Sequence, residues 1–400
     1  MNTDGNTMKR VIRTVIMLTA AAFAATGCAV GPRSPEVPEM DVTFAPQKGD
    51  FLALDGSRLS LQTVVEGLEG ADYVVIGEGH TNACDHKMQQ ALLQGLSRNG
   101  RPLSLGLEMI GVDKQPVLDD FGKGQVRVEA LEEELDWKKR WGYPFELFRG
   151  HFELAEKRCL PVAGINVPPD VVRKVSEEGV EKLDSLEASY MPEEVVMPPQ
   201  EQRDSLMEVL ALHEGGDEAD EERAERFLYI QSVWDSMMAE QAVKLRARYD
   251  WPVVLVAGGG HVEYGWGIPD RIRRLDPDAV VMTVMPWRGR EYDPDAADYS
   301  FYCPSSYESR LGATLVRGAR GVYVESVKRD SRAYRSGLRP NMVIVKAQGI
   351  PVKELFDIHR AGKKAHDNDA SLIFTTRLGG EEYTLDFGPL GSRNSKEQNK

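Results

Sequence analysis

Between Tyr73 and His86 the chain reads YVVIGEGHTNACDH, which sets Glu78, His80, Cys84, Asp85 and His86 within one short stretch. Carboxylate oxygens and neutral imidazole nitrogens suit iron, zinc or manganese, and the same groups can hold a water for general-base work. Glu78 and His80 follow an apolar run, Tyr73 to Ile76, that reads as a strand buried on both faces of a parallel sheet. Gly77 and Gly79 give the backbone a sharp exit, so both side chains project beyond the carboxyl end of that strand. Further strand-like runs carry polar groups at the same place: LSLGLEM brings Glu108, LPVAGINV brings Asn166 and WPVVLVAGGGH brings His261. A single glutamate or histidine at a strand end is more often structural than functional. Several at one crevice must meet each other or a ligand, because an unpaired polar group beside a core costs stability.

The pocket expected from this pattern comprises Glu78, His80, His86, Glu108, Asn166, Asp235 and His261, with Glu78, His80, Glu108 and His261 as its metal set. In a hydrolase those four would position a water or a metal, with one of them as general base. Asp235, on a long helical stretch, suits a cap or an ion pair equally well. Asp85 and His86 open the following helix, at the rim of the pocket. Cys84 offers a thiolate that could ligate a metal or haem iron, and a small loop filler is its simpler reading. The sequence holds neither a Gly-x-Ser-x-Gly elbow nor a Gly-x-x-x-x-Gly-Lys-Ser/Thr loop, and Gly258 to Gly260 run straight into His261 rather than opening a dinucleotide unit.

These groups must be positioned by an α/β alternation. AVVMTVMPW from Ala279 adds another strand, while Lys87 to Leu96 and Asp220 to Tyr249 read as helices. The second helix carries Phe227, Ile230, Trp234, Met238, Ala242 and Leu245 at core spacing, which reads as packing. The fold class is therefore α/β, a mainly parallel sheet flanked by helices with extra helical insertions, followed by a small β-rich unit. That unit begins near Tyr307 and holds GVYVESV, NMVIVKAQGIPV, a helix-like stretch from Lys353 to Ala365, SLIFTTRL and EEYTLDF. The acidic run from Glu214 lacks calcium-loop spacing and reads as solvated.

Lys9, Arg10 and Arg13 precede an apolar stretch, Val15 to Ala25, and then Thr26, Gly27 and Cys28. This is the layout of a lipoprotein signal peptide over 1–27, with Cys28 the lipidated residue. Prolines at 32, 35, 38 and 46 stiffen a spacer over 28–48. No other stretch has the roughly 20 apolar residues of a spanning helix. The chain is expected in a bacterial cell envelope, lipid-anchored at the outer membrane. A formal charge of -14 argues against nucleic acid as a partner. With Cys28 lipidated, Cys84, Cys159 and Cys303 are an odd set in an oxidising compartment, so a disulfide framework is excluded, and which two could meet stays open. Cys159 reads as a buried small hydrophobe. Residues 391–400 read as a polar tail.

Six ordered segments carry a family resemblance: IGEGHTNACDH, LGLEM, WGYPFELFRGHFELAEK from Trp141, AGIN, SVWDSMMA from Ser232, and VAGGGHVEYGWGIPDRI from Val256. Over about Phe51 to Pro286 they make the chain similar to the ChaN-like haem-binding lipoproteins, and more distantly to the Tiki and TraB metalloproteases and the erythromycin esterases. The resemblance implies a domain over 49–295 that acquires haem or iron, with haem sandwiched in a homodimer in part of the family. Tyrosine ligation in that family makes Tyr143, Tyr190, Tyr229 and Tyr264 candidates, with no order among them. From 305 to 390 the chain resembles a PDZ domain of the bacterial protease type, on LGATL, GVYVESV and SRAYRSGLRPNMVI, although Asn341 and Met342 stand where Gly-Asp is usual. That likeness implies a groove in which backbone amides at Leu311, Gly312 and Ala313 receive the C-terminal tail of a partner protein while the sheet edge adds a strand.

Three functions compete on this reading. A haem- or iron-binding envelope lipoprotein, with a membrane and a protein tail as partners, leads. A metal-dependent hydrolase holding zinc or manganese in the Glu/His pocket is the alternative, and a scaffold with a vestigial pocket is the third.

Overall fold

Apolar runs that bury both faces require helices on both sides of their sheet, and this decides the architecture. The structure is a computed structural model and describes residues 42, 46–214, 221–289, 291–318 and 321–390. Cys28, the signal peptide, nearly all of the spacer, the centre of the acidic run and the polar tail lie outside the described residues. The first sheet comprises β1 (Phe51–Leu52), β2 (Arg58–Leu59), β3 (Tyr73–Glu78), β4 (Ser104–Gly111), β5 (Val162–Asn166), β6 (Val253–Gly258), β7 (Val281–Trp287) and β8 (Tyr299–Tyr302). Its order is β2-β1-β8-β7-β3-β6-β4-β5. From β8 to β5 every neighbour is parallel, and β1 and β2 finish one edge antiparallel.

The alternation along β3 shows why it lies inside the sheet. Val74 and Ile76 join one core with Leu92, Leu93 and Leu96 of the helix Ala83–Leu96. Tyr73 and Val75 join the other with Met238, Ala239, Ala242 and Leu245 of the helix Glu221–Tyr249. The helical insertion between β4 and β5 extends the first core with Trp137, Phe145, Phe148 and Phe152. Among the described residues no helix is long and apolar enough to cross a membrane.

The second sheet is antiparallel and comprises β9 (Ser306–Ser309), β10 (Ala313–Gly318), β11 (Gly321–Val327), β12 (Val343–Ala347), β13 (Ile350–Pro351), β14 (Ser371–Leu378) and β15 (Glu381–Pro389). They run in the order β15-β14-β12-β11-β10-β9, with β13 on β12. The helix Leu355–Asp367 covers this sheet with Ile358, Ala361 and Ala365. The strand-like segments beyond Gly321 all appear; β9 is an addition that four polar or aromatic residues did not announce.

Two cysteine readings change. Cys84 is not a loop filler: it is bonded to Cys303, across 219 residues of sequence, and so ties the loop after β3 to the segment joining the two sheets. Cys159 is an exposed free thiol rather than a buried hydrophobe, because it ends the helix Arg149–Arg158 in the left-handed conformation, φ 53°, at the surface. Peptide mapping without reductant should recover Cys84 linked to Cys303. Replacing both by serine should lower the unfolding free energy by about 2–4 kcal/mol, read from urea melts.

Candidate functional site

Parallel register delivers the polar strand ends to one level. Glu78 faces Gly258 across β3 and β6, and Leu107 pairs with Val256, so Glu108 arrives beside them. Above these ends lies a cleft of about 660 Å³, lined by His80, Glu108, Asn166 and His261 together with Trp141, Tyr143 and Trp234. Met109, Val172 and Ile230 add apolar wall, and the charged rim comprises Arg140, paired with Asp113, and Arg173 beside Glu177.

Glu78, His86 and Asp235, expected in the same pocket, stand behind it instead, each buried. The Glu78 carboxylate accepts from His80 Nδ1 and Gln89 Nε2, each at 3.0 Å, and lies 3.1 Å from His86 Nδ1. His86 is therefore no rim residue: its helix turns it inward, where Nε2 approaches the carbonyl of His80 at 3.2 Å. Asp85 is likewise buried rather than at the mouth, since it holds the Arg288 guanidinium at 2.7 and 2.6 Å and accepts the Gly79 N–H at 2.8 Å. Asp235 accepts from His261 Nδ1 at 2.7 Å and Gln202 Nε2 at 3.0 Å, with Arg271 3.4 Å away.

Two imidazoles are thus oriented in one way. Each commits Nδ1 to a buried carboxylate, which leaves Nε2 for the cleft. Between them Glu108 takes the Gly258 N–H and sits 3.6 Å from His261 Nε2. Glycine at 258 is a steric need, because a Cβ there would stand 2.9 Å from His80 Cε1. Asn166 reaches the cleft, but its side-chain oxygen accepts the N–H of Val167 at 2.8 Å. The four residues of the expected metal set form the pairs Glu78–His80 and Glu108–His261. Among the described residues no group of three His, Cys, Asp or Glu side chains has an arrangement that could hold a metal ion.

The two tryptophans of the cleft wall are what the sequence did not assign to the site, whereas Tyr143 was a candidate through the family resemblance. Trp141 and Tyr143 pack on His80 with ring centroids 4.8 and 5.4 Å away, and Trp234 lies 6.2 Å from His261. Trp234 and Ile230 pack against the core as their spacing implies, and both also line the cleft. The signal present in sequence was the aromatic density of the segment from Trp141.

Burial opposes charge on all these groups, and the paired carboxylates outweigh it at the histidines. Against burial, Asp235 and then Glu108 push His261 up to about 9. His80 is raised, also against burial, by Glu78 and Glu108, and His86 by Glu78. Burial alone would raise Glu78, but hydrogen bonds from His80 and His86 bring it down to about 2. His151, buried beside His86 with no carboxylate of its own, falls to about 4.

A family model described as haem-binding uptake, Tiki superfamily, ChaN matches residues 64–272. The chain belongs to this ChaN family. A solved structure described as cofacial haem binding to ChaN of Campylobacter jejuni is similar in fold at a TM-score of 0.53, with 21% identity over 64% of this chain and 97% of that one. An HtrA3 PDZ domain bound to a phage-derived ligand matches 18% of this chain and 64% of its own length at 24% identity, with a TM-score of 0.15. An erythromycin esterase in its open conformation matches at 16% identity over 59% of this chain and 76% of that one, with a TM-score of 0.36. Neither of these two is close enough to carry an argument. No curated protein matches the chain.

The tyrosines that the ChaN resemblance raised separate by position. Tyr143 lines the cleft, Tyr190 and Tyr229 pack against Val171, Val233 and Met237, and Tyr264 donates to Asp293 at 2.9 Å while stacking on Trp266. In the second sheet, Leu311 N–H donates to Ser309 Oγ at 3.1 Å and Gly312 N–H to the Ser309 carbonyl at 2.8 Å, while Ala313 opens β10.

Because folding raises the pKa of His261 from 6.5 to about 9, its contribution is fully present below the unfolded value and is lost as pH climbs through the folded one. Urea melts should therefore show stability falling between about pH 6.5 and 9, with a His261 share on the order of 3 kcal/mol. Asp235→Asn should shrink that loss and lower the imidazole pKa read by NMR titration.

Proposed function

We propose that this chain binds haem for uptake in the cleft at the strand ends. The observation that carries the reading is that the ChaN match, 64–272, spans the residues that build the cleft, from His80 through Tyr143 and Trp234 to His261. The donor chemistry fits the group. With Nδ1 held by Glu78, His80 has Nε2 free to meet iron, and the Tyr143 hydroxyl has no hydrogen-bond partner among the described residues. Trp141, Trp234 and the apolar wall suit a macrocycle. Haem supplies the iron; the chain supplies the nitrogen or phenol, its orientation and a wall that limits water.

The same proposal includes lipid attachment at Cys28 at the outer membrane of a bacterial envelope, supported by the layout of the first 28 residues. It includes docking of a protein tail by the C-terminal unit, supported by the segments that resemble a PDZ domain. A second copy of the chain closing over haem is supported by the cofacial haem described for ChaN of Campylobacter jejuni.

One observation favours a second reading. His80 and His261, each backed by a buried carboxylate, flank Glu108 and could take and return a proton at a bound substrate, which suits a hydrolase working by proton transfer at this cleft.

Haem titration of the purified chain should give a saturable Soret shift. His80→Ala should abolish it, Glu78→Gln should weaken haem binding by roughly 10–100-fold, and Tyr190→Phe should leave it unchanged. Free-haem spectra at every ratio would sink the haem reading. Hydrolytic activity of the purified chain without haem, lost in His80→Ala while the fold is kept, would establish the second.

A further inference from the structure

The outer edge of the second sheet is closed by the chain itself. β9 pairs antiparallel with β10 through Ser309↔Ala313, Glu308↔Thr314, Tyr307↔Leu315 and Ser306↔Val316. β11 holds the other edge of β10, so β10 has no free edge left for strand addition. β9 ends at Ser309, whose carbonyl and hydroxyl take the N–H groups of Gly312 and Leu311. Those are amides that a docked tail would need for its terminal carboxylate. In direction, in pairing and at its carboxyl end, Ser306–Ser309 therefore stands where an extended peptide would lie.

Beside β9 a groove of about 690 Å³ remains open toward the helix Leu355–Asp367. Arg310, His359, Lys363 and His366 line it over an apolar floor that includes Ile358 and Phe374, and among the described residues no Asp or Glu contributes to the lining. In a chain of formal charge -14, that local excess of positive charge is complementary to an acidic segment.

We propose that the C-terminal unit takes an extended acidic peptide by strand exchange, the incoming strand replacing Ser306–Ser309 on β10 and setting its carboxylates toward Arg310 and Lys363. This rests on the tail-docking reading above and specifies its partner. A four-residue edge strand with exposed Tyr307 and Glu308 is held on one side only and by few bonds, which makes it an element the sheet can release at low cost. Its leading end stays fixed, because Cys303 is bonded to Cys84 and the Pro304 carbonyl accepts from Asn82 Nδ2 at 3.0 Å. Release would therefore swing the strand from an anchored point rather than free the whole connection.

Fluorescence anisotropy on the full chain tests this with a labelled peptide of alternating valine and glutamate carrying a free terminal carboxylate. The Arg317 N–H to Ser305 carbonyl bond, 2.9 Å, sets the antiparallel alternation so that Tyr307 and Leu315 are the next hydrogen-bonding pair. Tyr307→Pro deletes one such bond and should tighten peptide binding at least about tenfold over the wild type, the scale of one or two hydrogen bonds. A second variant with residues 306–309 replaced by glycine should do the same. Equal affinity in wild type and both variants would overturn the exchange while leaving tail docking intact. Absence of binding in all three would overturn both. Equal binding of a lysine-for-glutamate probe would overturn the acidic partner.

Discussion

Two carboxylates buried at the ends of parallel strands and beneath them constrain everything around the cleft. Glu78 and Asp235 are almost wholly removed from water, and a buried carboxylate without donors would take up a proton or destabilise the fold. Each is instead surrounded by donors from different elements. Glu78 draws on His80, His86 and Gln89, and Asp235 on His261, Gln202 and Arg271. The imidazoles of the cleft are thereby fixed in orientation by the requirement that stabilises their partners.

That requirement extends outward. The loop carrying His80 is stapled at Asn82, which caps the helix Ala83–Leu96, at Asp85, which grips Arg288, and at Cys84, bonded to Cys303. Arg288 also donates to the Cys303 carbonyl at 3.0 Å. The connection into the second sheet is consequently part of the same rigid patch as the cleft loop.

The cleft itself is a compromise between chemistry and packing. Imidazole and carboxylate supply proton-active or ligating atoms, while Trp141 and Trp234 meet the rings edge-on and Tyr143 lies tilted against His80. Such a wall suits a flat, partly apolar ligand with charged periphery, which is why the ChaN family membership and the geometry support one reading together.

Sequence alone determined the α/β class, the five long strands and the side chains at their carboxyl ends. Those follow from local patterning, since a strand buried on both faces must be apolar throughout and its polar residues can appear only where it leaves the core. Glu108, His80, Asn166 and His261 were legible for that reason. Only the tertiary structure decided which polar residues face the cleft and which stand behind it, because the rotation of a helix about its axis is set by packing. Thus His86 turned inward and Trp234 turned to the wall. The Cys84–Cys303 bond and the pairing of β9 with β10 were likewise invisible: each depends on segments meeting in space, and neither residue spacing nor hydrophobic period encodes such a meeting.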